Sequence, residues 1–278
     1  NMDVIREATP HPLLNYLHGG SDWESEITVS KKQINMFLTS NLSGLAADFP
    51  APFAKRADEI IPLRFEISSM AMQQDLLSVL YGKLFNAQFL RGDEKGERVI
   101  KRGMINFGNT GKRVDKDGIW LGGTIPQLSL EGWGALVSAS DGPSPVSIAG
   151  ADLMIQKITG YGYMANDIRL NARNVNGTVV SYVAAKSING EVIWHPQGNG
   201  KFSARLKNLT LELNRDESGK KNNVVIQPSV VRKNVAGVTH PALDVAVGNI
   251  TLNGKNLGRL ELFAQQHERA CAERSGAG

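Results

Sequence analysis

Apolar side chains fall on every second position through most of this chain. Trp23, Ile27 and Val29 share one phase with Ser25, and Ile34, Met36 and Leu38 share another that Leu42 continues. In Ile61, Leu63, Phe65 and Ile67 the apolar positions alternate with polar ones, Arg64 and Glu66. The same beat runs through Ile119, Leu121 and Ile125 around Gly123, through Phe202, Ala204 and Leu206, through Leu209, Leu211 and Leu213, and through Leu243, Val245 and Val247. Successive side chains of a strand point to opposite faces, so each run predicts a strand with one apolar face. One-sided patterning of this kind predicts antiparallel pairing. The three-residue step from Leu206 to Leu209 breaks the phase and predicts a β-bulge between them.

Turn chemistry separates the runs. "RGDEKGER" (91–98), "KDG" (116–118), "NVNGT" (174–178), "SINGE" (187–191), "PQGNGK" (196–201) and "NRDESGKKNN" (214–223) each predict a reversal. The Asn-Gly and Asp-Gly pairs among them are strong hairpin cues, and the whole reads as a dozen or more strands. Two stretches predict short helices instead. "DFPAPFAKRADEI" (48–60) can make about two turns after Pro52, and "SLEGWGALVSA" (129–139) can make one or two with Trp133 and Leu136 inward. "MQQDLLSVLYGKL" (72–84) fits both periods and is read as strand.

One phrase is written twice. Residues 152–172 align without a gap to 244–264, with six identities in 21 positions: Asp152/Asp244, Ile158/Ile250, Thr159/Thr251, Gly162/Gly254, Leu170/Leu262 and Ala172/Ala264. Each copy runs strand, glycine, strand. Repeated hairpins lengthen a sheet by adding units side by side; two unrelated hairpins of one sandwich are the alternative. The fold class that follows is mainly β: an elongated, twisted antiparallel sheet curled into a groove, with one or two short helices. Residues 1–10 read as a tag remnant and lead-in, 11–145 as a β-rich half carrying the helices, 146–266 as a half built of hairpin repeats, and 267–278 as a ragged or non-native tail.

Composition changes this picture little. The 278 residues are 41% apolar and 21% charged, enough for a sizeable core, and 29 glycines suit many turns. A net charge of +4 is spread among acidic residues without a basic stripe interleaved with aromatics, so no nucleic-acid partner is expected. The single cysteine, Cys271, permits no intrachain disulfide. No run of about 18 apolar residues is present.

Candidate chemistry is sparse. His11, His18, His195, His240 and His267 stand at no metal-ligating spacing. "GYGYM" (160–164) is not followed by a helix-opening pattern and reads as a hairpin turn, and "RGDEKGE" (91–97) misses the EF-hand spacing and reads as a solvated turn. Neither enzyme activity nor a cofactor is expected. A carbohydrate-cleaving site would need two converging carboxylates, which strand patterns alone cannot pair.

The apolar faces must be covered. Two sheets can cover each other and close a scaffold or interaction module, or one sheet can curl into a gutter whose lining stays open to a ligand. A gutter of Ile, Leu, Val and Phe suits acyl chains, which need dry area and no hydrogen bonds. Leu63, Phe65, Ile67, Leu121, Ile125, Ile158 and Ile250 are the candidate lining residues, each on an apolar strand face.

Three stretches, "DFPAPFAK" (48–55), "GIWLGGTIPQLSLEGWGAL" (118–136) and "HPALDVAVGNITLNGKNLGRLELFA" (240–264), resemble the YhdP family of Gram-negative envelope proteins, relatives of the AsmA and TamB group. The resemblance covers roughly residues 10–266. It implies an internal piece of a larger periplasmic protein held in the inner membrane by an N-terminal helix. That protein would carry phospholipid towards the outer membrane along a curled β-groove, without catalytic residues.

Overall fold

The structure, a computed structural model, describes residues 2–9, 11–30, 33–70, 73–108, 116–138, 148–198, 200–213 and 241–265. A short helix, α1 (Met2–Ala8), and a 3-10 turn (Pro12–Tyr16) lead into a small ribbon of β1 (Leu17–Gly19) and β4 (Leu45–Ala47). All other strands join one fourteen-stranded sheet. Its members are β2 (Trp23–Ser30), β3 (Gln33–Ser40), β5 (Leu63–Ser69), β6 (Asp75–Tyr81), β7 (Phe85–Glu94), β8 (Glu97–Phe107) and β9 (Gly118–Ser129). After helix α2 (Leu130–Ser138) follow β10 (Ile148–Gly160), β11 (Tyr163–Val175), β12 (Thr178–Ala184), β13 (Ile188–His195), β14 (Lys201–Leu213), β15 (Ala242–Leu252) and β16 (Lys255–Ala264). They lie side by side in chain order. At about 4.8 Å per strand the sheet is roughly 60 Å across.

The sheet is mixed rather than wholly antiparallel. β8 with β9, β9 with β10, and β14 with β15 pair in parallel. One-sided patterning cannot report this, because a face alternates identically in either direction. The "KDG" turn is accordingly no hairpin: Gly118 opens β9 alongside β8. True hairpins stand at Lys95–Gly96, Tyr161–Gly162, Asn176–Gly177 and Asn253–Gly254, where both central residues have positive φ, the signature of type I′ turns.

"SINGE" is also not a turn. Asn189 and Gly190 lie inside β13, at the bulge that the Leu206–Leu209 step predicts. Asn189 pairs with Asn208 and Gly190 with Leu206, so Lys207 is the extra residue. A Cβ on Gly190 would sit 2.2 Å from the Arg205 carbonyl oxygen. The glycine is therefore required by close backbone approach, not by chain reversal. "NRDESGKKNN" lies outside the described residues.

Residues 48–60 form no helix. They make a loop in which Ala47 and Lys55 exchange backbone hydrogen bonds. Lys55 is buried, and its Nζ donates to the carbonyls of Leu45 (2.6 Å) and Arg56 (3.0 Å). Burial lowers its pKa below the ordinary ammonium value, with Glu59 and Asp58 opposing. Phe53, expected on a helix face, instead packs its ring against Phe85, Phe107 and Trp133. Helix α2 forms as expected, with Leu136 buried and the Trp133 indole donating to the Ala51 carbonyl at 2.8 Å. Residues 75–81 are strand, also as expected, whereas Leu42 lies beyond β3, buried at positive φ.

The doubled phrase is a structural repeat. β10–β11 and β15–β16 are hairpins with equivalent pairs, Leu153 with Leu170 and Val245 with Leu262, Ile155 with Ile168 and Val247 with Leu260. The repeat also reaches one strand further back than the sequence match. β9 pairs in parallel with β10 through Ile125 and Leu128, and β14 with β15 through Leu206 and Leu209. Both partner strands take a three-residue apolar step around one skipped residue, Pro126 or Lys207. Proline has no N–H for the ladder, which suits it to that place.

Candidate functional site

The pairing registers define one continuous face. A row of directly paired residues crosses all fourteen strands: Trp23, Ser40, Leu63, Tyr81, Phe85, Phe107, Gly123, Leu153, Leu170, Val183, Gly190, Leu206, Val247 and Leu260. Ser40 is its only residue with a simple polar side chain, and Tyr81 carries the one hydroxyl on a ring. Two positions along each strand, the next row on this face includes Leu38, Phe65, Val79, Ala87, Ile105, Leu121, Ala151, Val192, Val245 and Leu262. The intervening row, on the opposite face, is Glu24, Thr39, Arg64, Leu80, Asn86, Asn106, Gly122, Asp152, Asn171, Tyr182, Glu191, Arg205, Ala246 and Glu261. One side of the sheet is therefore apolar from edge to edge, and the row behind it is mostly polar: ten of its fourteen positions are polar or charged, the others being Leu80, Gly122, Tyr182 and Ala246.

Two members of the first row are glycines, and both mark irregular backbone. Gly123 has φ +94, and a Cβ there would fall 2.0 Å from the Phe107 carbonyl oxygen. Gly190 sits at the bulge described above. Glycines and bulges at such places bend a sheet.

All seven candidate lining residues lie on this face. Leu63 is in the first row, and Phe65 and Leu121 are in the second. Ile67 pairs with Met36 and Leu77 in a third. Ile125 is buried in the central cluster with Phe107, Leu153, Ile155 and Ile168, and Ile158 packs against that cluster. Ile250 packs against the second cluster, of Ala204, Leu206 and Val247. Not all are open to the same degree. Phe53, from the 48–62 loop, packs on the central cluster, whereas towards β2 the face is bare, with Trp23 62% and Val29 71% exposed. Tyr81, Phe85, Phe107, Leu153 and Val247 belong to the same face but were not among the candidates. The alternation of Phe85, Ala87 and Phe89 is the signal that could have found β7.

At the β2 end, α1 stands against the face. Met2, Val4 and Ile5 join Trp23, Leu38, Leu42, Leu45 and Leu63 around a cavity of about 510 Å³. Arg6 holds the helix by hydrogen bonds to the carbonyls of Leu14 (3.1 Å) and Leu17, and by an ion pair with Asp3.

Titratable groups near the apolar side are few. Burial, and secondarily Glu59, raises the Tyr81 phenol above its ordinary pKa while its ring stacks on Phe85 at 5.5 Å. Asp75 is buried and accepts from Arg91 Nε at 2.6 Å, with Arg98 at 3.9 Å. His18 lies 3.0 Å from Asp48 in an exposed pair, and His195 contacts the Thr178 hydroxyl at 3.1 Å. His240 and His267 lie outside the described residues. Within "RGDEKGE" the Asp93 carboxylate accepts from Gly96 N, closing a turn. Among the described residues no group of three or more His, Cys, Asp or Glu is arranged to hold a metal, and no helix is long and apolar enough to cross a membrane.

Fold and site together define a class: a β-protein built on one long mixed sheet with a continuous apolar side. The particular family follows from comparison. The chain belongs to the YhdP family, whose model, described as YhdP protein, matches residues 1–272. It is not a known enzyme family. No curated protein and no solved structure matches the chain.

Proposed function

We propose that this chain is a segment of a phospholipid conduit, holding acyl chains against its apolar face and carrying out no covalent chemistry. The conduit would run between the inner and outer membranes, with this segment in the periplasm and a membrane anchor elsewhere in the full-length protein. The observation that carries the reading is the apolar row extending across all fourteen strands, facing away from a mostly polar row. Membership of the YhdP family is consistent with lipid transport in the envelope.

Energetics support the same reading. Each CH₂ taken out of water contributes about 0.8 kcal/mol. A dozen buried methylenes therefore give roughly 10 kcal/mol before the costs of association are subtracted. No hydrogen-bonding group is needed, and few stand on this face.

A second reading, a closed envelope scaffold without lipid, is favoured by the central cluster, where Ile155 is only 3% exposed. Native mass spectrometry after incubation with phospholipid separates the two. Bound, exchangeable acyl ligand is expected; its absence would leave the scaffold reading.

A further inference from the structure

We infer that the cavity beneath α1 is a discrete amphiphile site, selective for a lipid whose head carries an ammonium group. This rests on the lipid-binding reading above and specifies which lipid is taken at this end of the trough.

The cavity has two chemical parts. Its apolar part is the 510 Å³ space bounded by Met2, Val4 and Ile5 on the helix and by Trp23, Leu38 and Leu63 on the sheet. That volume is within the range of small-molecule pockets, which are mostly apolar with a few polar groups fixing orientation. Two polar cavities adjoin it. One, of about 550 Å³, shares Gly20 and Ser21 with it and adds Asp3, Asp22 and Ser43. The other, of about 830 Å³, shares Ser21, Trp23 and Ser40 and adds Asp22, Glu24 and Thr39.

Every charged residue lining the three spaces is acidic: Asp3, Asp22 and Glu24. Asp3 already pairs with Arg6, but no Lys or Arg is among the lining residues, although the chain as a whole carries net charge +4. Such a mouth repels an anionic head and attracts an ammonium. An acyl tail in the apolar part places its head beside the Asp3 and Asp22 carboxylates, with the Ser21 and Ser43 hydroxyls in reach of the same space.

Trp23 lines the apolar part, so its fluorescence reports occupancy. The test titrates the chain with lysophosphatidylethanolamine and lysophosphatidylglycerol bearing the same brominated acyl chain. A Trp23→Phe chain identifies the part of the quenching that comes from this indole. Expected are quenching of Trp23, roughly fivefold tighter binding of the ethanolamine lipid, and near-equal affinities after Asp22→Asn. Ile5→Glu, which puts a carboxylate at a half-exposed position lining the cavity, is expected to abolish the quenching while far-UV circular dichroism stays unchanged. Equal affinity for both heads in the unmodified chain overturns the headgroup selectivity. Acyl binding that neither quenches Trp23 nor responds to Ile5→Glu overturns the site while the conduit reading stands. Failure of both lipids to bind anywhere, seen also by native mass spectrometry, overturns both.

Discussion

Single atoms decide whether this sheet can close its ladder. At Gly123 an added methyl group meets the Phe107 carbonyl oxygen, a backbone atom that cannot rotate away, at a φ that L side chains resist. Gly123→Ala is expected to cost about 3 kcal/mol or more, read as a lower denaturant midpoint. Gly254→Ala, at a hairpin with open space around it, is strained only by its φ of +78 and is expected to cost roughly 1 kcal/mol. Tyr81 gives a pH signature. Its folded pKa is raised, chiefly by burial, so the neutral phenol is the favoured form. Its contribution is complete below the ordinary value of 10.0 and is lost as pH rises through the folded pKa. Spectrophotometric titration should show one tyrosine ionising late, and Tyr81→Phe should remove that step while flattening the alkaline fall in stability.

Elements show what could be read from the chain and what could not. Strand positions were legible wherever one face is apolar, because a period of two survives every change of neighbour. Strand direction was not, and Gly190 shows how a local cue misleads: Asn-Gly usually reverses a chain, but here the glycine makes room for the Arg205 carbonyl within a ladder. The stretch 48–60 failed for another reason. Its Phe53 spacing fits a helix, but the loop sets the Phe53 ring against Phe85, Phe107 and Trp133, and such tertiary packing overrides a local period. Of the candidate site, the apolar face was legible, while the helix that stands over one end of it was not, because seven residues hold too little periodicity to declare themselves. The tether between loop and helix is open to test. Trp133→Phe keeps the ring packing but leaves the Ala51 carbonyl without its donor, and is expected to cost about 1–2 kcal/mol in equilibrium unfolding.

Across the whole molecule, apolar area is distributed unevenly. The middle of the face is buried and the β2 edge is bare, with Ile27 60% exposed on a strand that has no outer partner among the described residues. Such an edge invites association. Ile27→Lys is expected to change stability by less than about 0.5 kcal/mol while reducing any concentration-dependent self-association seen by sedimentation velocity. The order of the sheet has a consequence for how the chain reaches this state. Nearly every strand lies next to the strands that precede and follow it in the chain, so nascent polypeptide can extend the array one strand at a time as it is synthesised. Each newcomer finds its template already present. A long β-protein is thereby spared the slow search for distant partners that makes most all-β topologies sluggish and prone to error.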